Sequence, residues 1–104
     1  MKILTHLIEK AHDTMEEIEF YGEKAMIYKN EHKSLADTYN KIADMHITIY
    51  EMLHKEMVNL IDEKKRSGIV PPPEMLAIWN YEHEKLIKEF KEAKTLVEEY
   101  KKTY

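Results

Sequence analysis

All three prolines of this 104-residue chain stand side by side at positions 71–73, and one of its two glycines, Gly68, lies just before them. Proline lacks an N–H and collides with the preceding helical turn, and glycine weakens a helix interior by about 1 kcal/mol. With the breakers gathered in one place, long stretches on either side are left open to helices and interrupted only by Gly22. Strand signals are missing: no sustained period-two alternation occurs, and no Asn-Gly or Asp-Gly turn.

The apolar spacing fills those stretches. Leu4, Ile8, Ala11, Met15, Ile18, Gly22 and Ala25 recur at threes and fours, which predicts an amphipathic helix over about 2–30. The segment YKNEHKS ends that pattern. Asn30 can close the first helix, and Ser34-x-x-Asp37 resembles a capping box for the second. Leu35, Tyr39, Ile42, His46, Ile49, Leu53, Met57 and Leu60 form the stripe expected to face the core from a helix over about 34–66. At 1.5 Å per residue that helix runs on the order of 50 Å. Lys64, Lys65 and Arg66 suit the negative end of its dipole, and Gly68 suits its C-terminal cap. An extended connector over about 68–73 follows, with Pro73 as the first residue of a third helix over about 73–102. That helix shows Met75, Trp79, His83 (or Glu82), Leu86, Phe90, Ala93, Val97 and Tyr100 on its stripe. The expectation is an all-α single domain, 1–104, of three long antiparallel helices in an up-down-up bundle.

Composition narrows the function classes. The chain has no cysteine, which excludes disulfides, thiolate metal sites and cysteine nucleophiles. Its formal charge of −4 is mild, and basic residues alternate with acidic ones instead of forming a patch, so no nucleic-acid partner is expected. No apolar run approaches membrane-spanning length, and the opening MKILTHLIEKAHD is broken by Glu9, Lys10 and His12, so neither a membrane partner nor a signal peptide is expected. The expected location is the cytoplasm. No serine lies near a plausible base and there is no glycine-rich phosphate loop, so no catalytic residue is assigned and an enzymatic role is not favoured.

The second helix has a further property. From Met45 to Leu53, MHITIYEML, apolar residues lie all around it, with Glu51 the one carboxylate. A helix apolar on every side must be covered on every side. Met45 and Met52, seven apart, make a second seam on the face a three-helix monomer would leave wet. This predicts a homo-oligomer, most simply a homodimer, through the second helix.

Histidine supplies the other candidates. Glu51-x-x-His54 has the spacing of a helical ligand pair, but on the expected stripe Glu51 faces away from His46. His46 and His83 fall on core stripes. Such residues serve either as hydrogen-bonded core groups or as metal ligands with carboxylates from the first helix, Glu16 and Glu19. A buried His46–His83 pair would instead make stability sensitive to pH. No cofactor is expected; the alternative is iron, manganese or zinc at His46, His83, His54, Glu16 and Glu19.

Tyr21-x-x-x-Ala25 and Tyr39-x-x-x-Ala43-x-x-His46-x-x-Ile49 carry a resemblance to the leading hairpin of ferritin-like proteins of the rubrerythrin type. The resemblance implies that scaffold. The family's ligand positions fall on Thr14, His46 and Ile49, none of which matches, so it implies the hairpin without the di-iron chemistry. The Leu53-His54 step, the helix end near Ile61, the pattern Gly68, Pro71, Pro72, Met75, and Tyr81-x-His83-Glu84-Lys85 also resemble small helical proteins of Gram-positive phages and prophages. Proteins of that kind are generally without assigned activity. Together these imply a non-enzymatic accessory or interaction protein with an unidentified protein partner. The alternative is a metal-binding ferritin-like protein with a non-standard His/Glu site.

Overall fold

A computed structural model of the chain describes residues 2–68 and 73–102, with the backbone alone at Glu74 and Met75. The expected connector over 68–73 lies outside the described residues except at its ends, and the side chain of Met75 lies outside them too. The described chain is a helical bundle of α1 (Lys2–Tyr28), α2 (Lys33–Arg66) and α3 (Pro73–Lys102), with no strand among the described residues. Its extents of 56 × 20 × 18 Å are those of long rods lying side by side.

The helix ends follow local chemistry, with one correction. At the C-terminus of α2, Gly68 takes φ +74°, the left-handed conformation that suits glycine, and its N–H bonds back to the Lys65 carbonyl. At the N-terminus of α2 the expected Ser34–Asp37 capping box does not form. The helix begins a residue earlier, at Lys33, with His32 as N-cap and no side-chain cap bond. Ser34 is therefore already inside the first turn, where its carbonyl accepts from Thr38 Oγ1 at 3.1 Å. Asp37 is engaged elsewhere: Tyr100 O–H of α3 donates to its Oδ1 at 2.6 Å.

The core takes the expected face of α1, where Leu4, Ala11, Met15, Ile18, Gly22 and Ala25 are buried. It also takes the expected face of α3, through Trp79, Leu86, Ala93, Val97 and Tyr100. On α2 the expected stripe is wrong by one position from Leu35 to Leu53, while Met57 is fully buried and Leu60 packs against the core as expected. The buried residues are Ala36, Asn40, Ala43, Ile47, Tyr50, Met57 and Ile61, while Leu35 and Ile49 remain 41 % and 44 % exposed. One residue is a rotation of about 100°. The reason is size. Ala36 and Ala43 are completely enclosed, and short side chains allow helices to approach closely, so the face of small residues turns inward and the bulkier stripe is pushed to the flank.

Neighbouring contacts fix the register. Between α1 and α2, Tyr21 meets Tyr39 and His46 at 5.7 and 6.0 Å between ring centres, and Tyr28 meets Tyr39 at 6.3 Å. Between α2 and α3, Asp37 meets Tyr100, Tyr50 meets Phe90 and His54 meets His83, in opposite chain order. Gly22 sits where α1 touches α3: a Cβ there would lie 3.2 Å from Leu96 Cδ2. At the opposite end of α3, His12 of α1 donates its Nε2–H to Glu82 at 2.7 Å.

Candidate functional site

The rotation of α2 decides which polar groups meet. With Ala36, Asn40, Ala43, Ile47 and Tyr50 inward, the next inward position at alternating threes and fours is His54. Directly across from it, on the inward stripe of α3, is His83. Their Nε2 atoms lie 2.8 Å apart. The ring centres are 5.0 Å apart and the planes differ by 13°, so the imidazoles meet edge to edge, nitrogen to nitrogen, in nearly one plane. Aromatic rings flank them on both sides. Trp79 stacks on His83 at 4.6 Å and 11°, and Tyr50 lies near-parallel to His54 at 6.1 Å and 10°. Burial pushes the His83 imidazole below its ordinary range, His54 adds to this, and Glu84 opposes it.

A shallow groove of about 370 Å³ opens beside this row. Tyr50, Glu51 and His54 line it from α2, and Phe90, Lys91 and Lys94 from α3. Glu51 and His54 thus share a groove, which the one-position error in the expected stripe concealed.

The remaining candidates are placed apart from one another. His46 donates Nδ1–H to the Ile42 carbonyl at 2.9 Å and lies against Tyr21, while His83 pairs with His54 and not with His46. Glu16 is exposed on α1. Glu19 is half-buried, and its carboxyl is raised first by burial and then by Glu89, Glu23, Glu16 and Glu92. Among the described residues no three His, Asp or Glu side chains are gathered so as to hold a metal ion. Met45 and Met52 stand on the outer face of α2, 66 % and 65 % exposed. No helix among the described residues is long and apolar enough to cross a membrane.

Comparison of the chain with protein-family models, curated proteins and solved structures finds no match. The chemistry of the chain rests on its own side chains.

One of those was missed in the sequence. Tyr50 is 3 % exposed, and its buried hydroxyl has no hydrogen-bond partner among the described residues. Burial, with the Glu89 carboxylate adding to it, pushes the phenol up to about 12. A buried donor left unmatched costs about 1–3 kcal/mol. Tyr50→Phe should therefore leave stability unchanged or raise it by about 1 kcal/mol, measured by urea denaturation at neutral pH. The folded phenol keeps its proton up to about 12, whereas the unfolded one loses it near 10. The native state then holds more protons, so wild-type stability falls as pH rises between those values, and Tyr50→Phe should flatten that slope.

Proposed function

We propose that this chain is a non-enzymatic helical-bundle accessory protein of phage or prophage origin, which self-associates through α2 and works in the cytoplasm by binding another protein. The observation that carries this reading is the outer face of α2. Leu35, Ile42 and Ile49 follow one another at sevens, as do Met45 and Met52, and four of the five are exposed. Single exposed apolar residues are ordinary on protein surfaces, but a heptad-spaced row on one helix is the pattern of a helix–helix seam. Full burial of a side chain of this size contributes about 1.5–3 kcal/mol. These four are 41–66 % exposed, so each can gain about half of that, and eight from two copies give a gain of the same order as the roughly 4–15 kcal/mol that association costs.

A ferritin-like hairpin in an antiparallel up-down-up bundle, completed by a second copy, belongs to the same reading. It is supported by the opposite chain order of the α2–α3 contacts and by Tyr21 and Tyr39 meeting between α1 and α2. Ala25 and Ala43 are fully enclosed, as that scaffold's small positions would be.

Sedimentation velocity tests the self-association. The wild-type chain should run as a dimer, and Met45→Glu with Met52→Glu should run as a monomer of unchanged helicity. A wild type that stays monomeric at micromolar concentration, or a double variant of unaltered size, would sink the proposal. Stoichiometric iron, manganese or zinc in protein purified without an affinity tag would favour a metal-binding role instead.

A further inference from the structure

We propose that His54 and His83 form a proton-sharing latch that holds α2 against α3 at neutral pH and lets go when the pair is forced to accept a second proton. The geometry requires this order of events. Two Nε2 atoms 2.8 Å apart and nearly coplanar can be joined only if one carries a hydrogen and the other offers a lone pair. In the neutral pair, one ring is the Nε2–H tautomer and the other the Nδ1–H tautomer. A first proton is accommodated without moving either ring: it produces an imidazolium whose Nε2–H still donates to its neighbour, and charge strengthens that bond. A second proton puts an N–H on both facing nitrogens, and the rings must then part.

The surroundings relieve that conflict only in part: Glu84 favours the second proton, but burial and His54 outweigh it at His83. On α2 the ionisable groups beside the pair include Glu51, which lines the same groove, and Tyr50, which stacks on His54. On α3 they include Glu84, Lys91, Lys94 and Glu82. The two lysines line the same groove as Glu51, and the Tyr50 phenol is uncharged throughout the acid range. From α1, Glu9 and His12 approach the same end of α3, where His12 is joined to Glu82. Acid therefore acts on the α2–α3 contact at the His54–His83 pair.

The sign is set by proton counting. Below about 6.5 an unfolded chain protonates both histidines, whereas the latched pair holds one shared charge. The unfolded state then binds more protons, so stability falls as pH falls through the step that adds the second proton. The lowered affinity of His83, from burial and from His54, points the same way.

Trp79 is the only tryptophan of the chain and stacks on His83, so it reports on the latch directly. Its emission should be followed from about pH 8 to about pH 5, with the imidazole signals of both histidines recorded by NMR. In the wild type the two histidines should titrate in two coupled steps, the second accompanied by a red shift of Trp79 while helicity persists. In His54→Gln the amide can donate to or accept from His83 at either protonation state, so the shift should vanish. In His54→Leu, His83 faces no donor, and it should bind its proton at least tenfold more tightly than in the second wild-type step. Independent titration of the two wild-type histidines near the ordinary imidazole value, with Trp79 unmoved, would overturn the latch. So would an identical red shift in His54→Gln. The NMR titration is read on the unaltered chain, so it decides the matter even if a variant fails to fold.

Discussion

Leu86→Ala should destabilise the chain by about 2–5 kcal/mol, the range for truncating a fully enclosed leucine whose surroundings cannot collapse into the space. Leu86 is completely buried in the main core, a cluster to which all three helices contribute. Against the roughly 5–15 kcal/mol that holds a domain of this kind together, the loss is a large fraction, and the melting temperature should drop by about 10 °C or more. Urea denaturation checks it, with the midpoint falling at constant slope. Ile78→Ala is the matched control, since Ile78 lies on the same helix and is 61 % exposed. It should change stability by no more than about 0.5 kcal/mol. Equal effects of the two substitutions would mean that α3 does not seal the core.

The contrast between α3 and α2 also shows how much was legible in the sequence. On α1 and α3 a single apolar stripe exists, and the periodicity of Leu4 to Ala25 and of Trp79 to Tyr100 leaves one face to bury. On α2 two stripes of equal regularity run side by side. One is Leu35, Tyr39, Ile42, His46, Ile49, Leu53; the other is Ala36, Asn40, Ala43, Ile47, Tyr50, His54. Weighing positions by hydrophobic size favours the first, whereas close approach between helices favours the second. Asn40 illustrates the difficulty. A buried amide argues against a core position on sequence grounds, yet it is enclosed and donates weakly to the Val97 carbonyl at 3.5 Å.

The same choice governs the candidate site. His83 was visible as an inward residue of α3, but its partner depends on which α2 stripe turns inward and on the register between α2 and α3. With the second stripe inward, His54 falls in its 4-3-4-3 spacing and becomes the residue facing α3. The signal was present at Ala36, Asn40 and Ala43, where three small side chains at helical spacing mark a close approach. What periodicity alone cannot supply is the axial register, because the segment between α2 and α3 carries no repeating pattern from which to count.

Gly22 provides the sharpest test of that packing, because two substitutions there should differ widely. Gly22→Ala should be close to neutral, within about 1 kcal/mol. Alanine gains about 0.8–1 kcal/mol of helix propensity over glycine in a helix interior. Its Cβ would stand 3.2 Å from Leu96 Cδ2, which is tight, but that atom is the tip of a side chain able to shift by a few tenths of an ångström. The two effects oppose each other and are of similar size. Gly22→Leu has no such outlet. A side chain leaving that Cβ runs into Leu96 and Val97 together, with Val97 Cγ2 3.6 Å away and fully buried, so α1 and α3 must separate or Leu96 must leave the interface. Overpacking of this kind costs about 1–3 kcal/mol, and more when an interhelical contact is lost with it. A double-mutant cycle isolates the cause. Leu96→Ala removes the obstructing branch, so Gly22→Leu should be less damaging in that background, with a coupling of about 1 kcal/mol or more in urea denaturation. If Gly22→Leu behaves like a surface substitution, or if Leu96→Ala fails to soften it, α1 and α3 do not meet at this point.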